Sequence, residues 1–194
     1  MLEEEKIFST SLWKTKLDLD LNPIRKKIEQ YSSENPSKYA SNRGGYQSDA
    51  FDYEPLTSAI KNNVPKSDNE MGELFIYSWF NINSTGCYNA AHHHNDGKTI
   101  FAGVYYVTVP NESCGVIAFH DPRGKNLKSA PDFKYFNTPT NKTIIPEENM
   151  LYYFPSWLEH EVAGNYSNQN RISISFNLIR KKDIEENLIY LDYK

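Results

Sequence analysis

Short apolar or alternating segments recur along the second part of the chain. They lie at 73–82, 100–109, 115–119, 150–154 and 171–179. Turn-forming clusters such as Pro110-Asn111-Glu112 and Pro122-Arg123-Gly124 separate them, as is typical of strands joined by tight turns. Regularly spaced short strands of this kind predict a mainly β fold, which would be a jelly roll, a sandwich or a barrel.

The segment 171–179 alternates most regularly. In it, Arg171, Ser173 and Ser175 alternate with apolar residues. Since successive side chains of a strand point to opposite faces, these three polar side chains are predicted to share one face.

The first 70 residues contain less apolar periodicity. We expect a first strand at 7–16 and a helix at 22–32, for which Asn22 is a suitable cap. Most of 33–70 is expected to be loop, with a second helix at 55–62.

We expect the chain to form one domain over 1–194, because a chain of this length can bury a single core. Its helical and loop part would span 1–70, and its β-rich core about 71–180. The tail at 181–190 is expected to form a short helix or an edge strand.

Composition excludes several classes of protein. The chain has 21 basic and 25 acidic residues, a net charge of −4, which does not indicate binding to nucleic acid or to a membrane surface. No apolar run reaches the roughly 18–20 residues of a spanning helix, and the acidic start lacks the pattern of a secretory signal. Cys87 and Cys114 do not make a disulfide framework. We therefore expect a soluble cytoplasmic protein.

A histidine cluster at 92–94 is the first candidate for chemistry. It contains three of the five histidines, and Asp96 follows it. Because residues i and i+2 of a strand point the same way, either His92 with His94 or His94 with Asp96 could supply two metal ligands. Two imidazoles and a carboxylate on one face of Fe(II) leave its other positions open. A polar loop without a metal is the alternative.

A third ligand must come from elsewhere in the chain. The remaining histidines are His120 and His160. His160 follows an apolar strand and is the better candidate, whereas we expect His120 to be structural or to lie in a cleft.

An anion-binding group is predicted downstream of His160. The guanidinium of Arg171 can bind a carboxylate through two parallel hydrogen bonds, and the Ser173 hydroxyl can add a third. Tyr106, or its neighbour Tyr105, could donate a phenolic hydrogen bond to the same carboxylate. Each residue alone has an ordinary explanation, an ion pair for the arginine and core packing for the tyrosines, but their order and spacing together favour a site.

In this order the motifs resemble those of the Fe(II)- and 2-oxoglutarate-dependent dioxygenases. That superfamily has His-x-Asp or a variant, then a distant His, then an Arg that is often part of Arg-x-Ser. The chain is more closely similar to a small, phage-type group of these oxygenases, and a looser likeness to prolyl hydroxylase catalytic domains lies in Val104–Val107 and His160–Val162. The segments shared with the phage-type group are Ser41–Ser48, His92–His94, Ala102–Val107, Asp121–Arg123, Phe154–His160 and Arg171–Asn177.

The resemblance implies a fold and a reaction. The fold would be a double-stranded β-helix, a cupin-like jelly roll with a helical N-terminal segment and the metal near one mouth. Fe(II) would be held by His94, His160 and either His92 or Asp96, and aligning the chain on different neighbouring motifs favours different pairs. If His92 is the ligand, Asp96 could orient an imidazole.

The cosubstrates implied are 2-oxoglutarate and O2. Arg171, Ser173 and Tyr106 would hold the far carboxylate of 2-oxoglutarate, whose decarboxylation yields succinate and CO2 while a substrate is hydroxylated. The 41–48 segment, with its two glycines, would form part of the rim of the mouth, and Arg123 is a second candidate for the cleft, although an arginine on a surface turn is the commoner case.

Two other hypotheses fit parts of the pattern. A cupin-type metal enzyme with three histidines and no 2-oxoglutarate explains the histidines but not Arg171 and Ser173. A non-catalytic jelly-roll binding or structural protein explains the strands alone. The sequence does not select a substrate, whether peptidyl or a small molecule, or an oligomeric state.

Overall fold

The computed structural model describes residues 8–66, 71–124 and 140–184. In chain order its elements are β1 (Trp13–Lys16), α1 (Leu21–Glu34), β2 (Asn42–Arg43), β3 (Tyr46–Gln47), α2 (Glu54–Asn62), β4 (Leu74–Asn83), β5 (Tyr88–His92), β6 (Thr99–Thr108), a 3₁₀ turn (Glu112–Cys114), β7 (Ile117–His120), β8 (Asn141–Ile144), β9 (Met150–Pro155), β10 (His160–Val162) and β11 (Arg171–Arg180). The described part of the tail, 181–184, is helical, and 185–190 lies outside the described residues.

The strands form two antiparallel sheets. The larger has six strands in the order β1-β9-β6-β11-β4-β3, and the smaller has five in the order β2-β5-β10-β7-β8. All pairings within them are antiparallel. The predicted mainly β class is therefore correct. None of the helices described is long and apolar enough to cross a membrane.

Helix α1 starts one residue before the predicted position. Its cap is Asp20, not Asn22, because the Asp20 carboxylate accepts the backbone N–H of Asn22 at 3.0 Å. A side-chain oxygen that satisfies a free N–H of the first turn is what a cap supplies. The apolar face of the helix buries Ile24 and Ile28, which are 1% and 0% exposed.

The six-stranded sheet is covered on both faces. On one face, residues of α1 and α2 pack with Phe80, Tyr105 and Phe176 in the main hydrophobic cluster. On the other face, Val104 and Tyr106 pack with residues of the smaller sheet. Alternation along β6 sends neighbouring side chains into these two clusters. The second face is the one that contributes to the site.

Two short strands in the segment predicted to be mostly loop connect the two sheets. The first, β2, pairs with β5 of the smaller sheet, and the second, β3, pairs with β4 of the larger. Gly44 lies between them with φ of +76°, a backbone conformation that glycine adopts at little cost. This segment therefore bridges the two sheets beside the start of β5, at Tyr88 and Asn89, and the histidine cluster begins at the other end of that strand.

Candidate metal centre and adjoining cavities

Three histidines converge between the sheets. His92 is the last residue of β5, and its cross-strand partner is His160, the first residue of β10. His94 lies two residues beyond the strand end. The ligand atoms that these three side chains offer all lie within 4.8 Å of one another, close enough to be held by a single ion.

Backbone carbonyls orient two of the three rings. The Nδ1 atom of His92 lies 2.7 Å from the Ala90 carbonyl oxygen, and that of His160 lies 2.9 Å from the Leu158 carbonyl oxygen. A carbonyl can only accept, so Nδ1 carries the proton and Nε2 keeps its lone pair for a metal. The His94 ring is held by stacking, with its centroid 5.2 Å from His160 and 5.8 Å from Trp79.

Burial keeps the cluster neutral. Desolvation, followed by the charge of His92, lowers the pKa of His94 to about 4 and that of His160 to about 3. Burial also lowers the pKa of His92. Neutral imidazole is the form that binds metals, so this donor set is ready for a cation without first losing protons.

Asp96 lies outside this three-histidine group, and its oxygens have other partners. Oδ1 accepts the backbone N–H groups of Lys98 and Thr99 at 2.9 and 2.7 Å, and Oδ2 accepts the Thr99 hydroxyl at 3.0 Å. These bonds shape the turn that leads into β6, and the backbone bonds hold the pKa of the carboxyl below its usual range although desolvation acts against them.

His120 and Arg123 also lie outside the group. The Nε2 atom of His120 is 3.7 Å from Glu161, and Arg123 pairs with Asp121 at 2.8 Å on an exposed turn. Neither lines the cavity that contains the three histidines.

Arg171 lies in the same cavity as the histidines, along with Ser173 and Tyr106. It is 1% exposed, and its Nη1 donates to the carbonyl oxygens of Cys114 at 2.6 Å and Gly115 at 3.3 Å. Its Nε is buried with no hydrogen-bond partner, and no carboxylate within the described chain pairs with it. Burial lowers the pKa of this guanidinium. A buried cation without a counter-ion is costly, so the cavity is suited to an anion.

Of the two tyrosines considered from the sequence, Tyr106 faces the cavity. Burial raises the pKa of its hydroxyl, against the opposing effect of Arg171, so the phenol stays protonated and can donate a hydrogen bond. Tyr105 belongs to the other face of β6, where its hydroxyl donates to Asn149 at 2.5 Å.

Sequence reasoning missed a set of asparagines beside Arg171. Asn81 donates to the Ser175 hydroxyl at 3.3 Å, and Asn89 donates to the Ser41 hydroxyl at 3.2 Å. Asn83 donates to the Asn89 side-chain oxygen at 3.2 Å. The signal in the sequence was the Asn-Ile-Asn ending of β4, which places polar residues on the face that Arg171 and Ser173 also occupy.

A second, open cavity adjoins the first. Its volume is about 540 Å³. The two share Ser41, Trp79, His92 and His94 in their walls. The predicted rim segment 41–48 contributes four of the lining residues of the open cavity: Ser41, Arg43, Gln47 and Ser48.

Comparison with known families gives one match. The model of the family described as "Putative 2OG-Fe(II) oxygenase" matches residues 77–177, which is more than half of the chain and includes His92, His94, His160 and Arg171. Among curated protein sequences none matches.

Solved structures show the same fold at low identity. A prolyl-4-hydroxylase from Pseudomonas putida is 15% identical with a TM-score of 0.61, covering 89% of this chain and 94% of that chain. A prolyl hydroxylase from Trichoplax adhaerens, in complex with a hypoxia inducible factor peptide fragment, is 15% identical with a TM-score of 0.64, covering 90% and 86%. HygX from Streptomyces hygroscopicus, with nickel and 2-oxoglutarate bound, is 10% identical with a TM-score of 0.62, covering 89% and 84%.

Proposed function

Since the chain belongs to the 2OG-Fe(II) oxygenase family, we propose that it hydroxylates a substrate while 2-oxoglutarate is converted to succinate and CO2. Family membership makes it an oxidoreductase that uses Fe(II), 2-oxoglutarate and O2. The observation that carries the proposal is the single cavity that holds three neutral histidines and, further along, the buried and unpaired Arg171.

The iron ligands in this proposal are His92, His94 and His160. Their ligand nitrogens converge within 4.8 Å, and the donor chemistry fits Fe(II), for which imidazole is a suitable ligand. Asp96 is the weaker candidate, because the turn before β6 uses both of its oxygens. When bound, the metal supplies the redox chemistry that activates O2. A set of three imidazoles gives that metal no negative charge, unlike a set that includes a carboxylate.

The anchor for the far carboxylate of 2-oxoglutarate is Arg171 with Ser173 and Tyr106. Support comes from the unpaired buried guanidinium and from the protonated phenol of Tyr106 in the same cavity. A carboxylate there would neutralise the guanidinium and accept up to three donors, which fixes the cosubstrate in one orientation. The carbonyl bonds of Arg171 hold its guanidinium in place before the ligand arrives.

Two alternative functions considered from the sequence have less support. A three-histidine enzyme without 2-oxoglutarate leaves Arg171 as a buried charge without a purpose, and a non-catalytic jelly roll leaves both groups unexplained. Membership of an oxygenase family that depends on 2-oxoglutarate decides against both.

The proposed domain organisation is a single domain over 1–194, in which the part at 1–70 packs on a double-stranded β-helix at about 71–180. Support comes from the main hydrophobic cluster, which contains Ile28 of α1 and Leu56 of α2 together with Phe80 and Phe176 of the six-stranded sheet.

Anaerobic titration with Fe(II) and 2-oxoglutarate tests the function. Chelation of the iron by 2-oxoglutarate should give a weak charge-transfer band in the visible region. In Arg171→Ala the 2-oxoglutarate needed for half the band should rise at least about tenfold, because a charge-assisted hydrogen-bonded pair is lost, while Fe(II) affinity stays unchanged.

The matched control is Arg123→Ala, which removes an arginine that pairs on an exposed turn. Ser173→Ala serves as a milder change if Arg171→Ala fails to fold. Binding of Fe(II) without any band on adding 2-oxoglutarate would contradict the proposal.

A further inference from the structure

The open cavity beside the histidines has the position and size of a substrate pocket. Its volume of about 540 Å³ falls within the range of roughly 300–1,000 Å³ that is usual for small-molecule sites. His92 and His94 form part of its wall, so a molecule held there lies next to the metal centre. The chemistry of its other walls restricts what that molecule can be.

One wall is aromatic. Tyr77 and Trp79 lie two residues apart on β4 and share one face of the strand, with ring centroids 5.7 Å apart. The ring centroid of Trp79 lies 5.8 Å from that of His94. The three rings follow one another from the exposed Tyr77 to the metal centre, tilted by 39° and 34° between neighbours. Such a surface favours a flat group that can stack on it.

Two carboxamides line the same cavity. The side-chain oxygens of Gln47 on β3 and Asn177 on β11 are buried without a hydrogen-bond partner among the residues that the structure describes. A buried polar atom in a native protein usually has a partner. Both of these atoms are acceptors, so the partner that they lack is a donor, and the N–H group of an amide or imide supplies one.

The charges of the cavity sum to one positive charge. The lining contains Lys38, Arg43 and Asp49 as its charged residues. Lys38 and Asp49 pair with each other at 2.9 Å, whereas Arg43 donates only to backbone carbonyls, at 2.9 Å each. An anion can therefore pair with the Arg43 guanidinium, but a cation finds no unpaired carboxylate.

We propose that this cavity binds the substrate, and that the substrate is a small anion carrying a flat amide or imide group. The flat group stacks on Tyr77 and Trp79, its N–H donates to the side-chain oxygens of Gln47 and Asn177, and the negative charge of the substrate pairs with Arg43. This inference rests on the proposed function and adds the substrate class to it. Two sources share this chemistry: an N-acylated amino acid, with its carboxylate, and a pyrimidine nucleotide, with its phosphate.

Calorimetric titration of the protein loaded with Ni(II) and 2-oxoglutarate tests it without requiring turnover. The first set of probes is N-acetyltyrosine, which is an anion, its neutral amide, and tyrosine amide, which is a cation. The second set is uridine monophosphate and neutral uridine. In at least one set we expect the anion to bind about tenfold more tightly than its neutral counterpart, and we expect tyrosine amide to bind most weakly of all. Whichever set binds identifies the source.

Variants assign the interactions. Arg43→Gln should weaken binding of the anion about tenfold and leave the neutral probe nearly unchanged, while Asn177→Leu should weaken both probes. Neither should alter 2-oxoglutarate affinity, because Arg171 lies in the other cavity. The matched control is Arg123→Gln, on an exposed turn outside the lining, and it should behave as the unchanged protein.

The failures are distinguishable. If 2-oxoglutarate itself does not bind in these titrations, the proposed function falls. Three other outcomes would show that the substrate class is wrong while the function stands. In the first, 2-oxoglutarate binds but no probe does. In the second the cation binds as tightly as the anion, and in the third Arg43→Gln binds the probes as Arg123→Gln does.

Discussion

At the scale of single residues, His92 and Asp96 illustrate how two equally suitable ligands come to differ. Both lie two residues from His94, and spacing alone gives each of them to the same face of a strand. The strand β5 ends at His92, so the alternation stops before Asp96 is reached. In the turn that follows, the Asp96 carboxylate accepts three hydrogen bonds.

Separate replacement of these two residues should therefore have unequal effects on the metal. Replacing a residue that only hydrogen-bonds to a metal ligand lowers metal affinity by about 10–100-fold. Because His92 is proposed to be a ligand itself, we expect His92→Ala to lower Fe(II) affinity by more than about 100-fold. Asp96→Asn should change it by less than about threefold. Anaerobic equilibrium titration of Fe(II) measures both, and the reverse ranking would make Asp96 the ligand.

Much of the candidate site could be predicted from residue types and spacing, but not its walls. His160 and Arg171 stand out because an imidazole and a guanidinium in an apolar context suggest chemistry. Trp79 and Asn177 do not, since a tryptophan or an asparagine on a strand is ordinary. Their role depends on the pairing of β4 with β11, which places Tyr77 opposite Asn177 and Trp79 opposite Ser175. That register cannot be predicted from the sequence of either strand alone.

At the scale of elements, the long apolar strands were predictable and the shortest ones were not. β4, β6 and β11 each have ten residues and lie in the six-stranded sheet, so burial forces apolar residues into them. By contrast, β8 is exposed along most of its length, and β10 has three residues. Their pairing with neighbours stabilises them, and local sequence carries little trace of it.

Gly103, in the middle of β6, shows how closely the neighbouring strands of the six-stranded sheet pack against it. A Cβ atom there would lie 2.1 Å from a ring carbon of Phe176 and 2.5 Å from the Tyr152 carbonyl oxygen. We expect Gly103→Ala to lower the free energy of unfolding by at least about 2 kcal/mol, because a packed core must shift to admit a methyl group. Urea unfolding measures this.

The control for that change is Gly124→Ala. No atom of the described residues lies within 4 Å of a Cβ atom built at Gly124, so the substitution should alter stability by less than about 0.5 kcal/mol. Equal effects of the two substitutions would mean that β6 can move away from Phe176, and that the core is looser than its packing indicates.

At the scale of the whole molecule, the N-terminal part is expected to fold together with the β core. The side chain of Ile28 on α1 is 0% exposed and belongs to the same cluster as Tyr105 and Phe176. Ile28→Ala should therefore lower the free energy of unfolding by about 2–5 kcal/mol, through lost burial and the cavity left behind. Ile145→Ala is the control, because that side chain is 53% exposed, and its cost should be within about 0.5 kcal/mol.

Hydrogen exchange decides whether that loss is shared by the whole chain. In one cooperative domain, Ile28→Ala lowers the protection of the most protected amides of α1 and of the central strands β6 and β11 by the same free energy, since all of them then exchange through global unfolding. If only the amides of α1 lose protection, the helix unfolds separately and 1–70 is an independent unit that merely docks on the strands. Because the short strands β2 and β3 contribute Arg43 and Gln47 to the open cavity, the same measurement shows whether that wall is as stable as the core behind it.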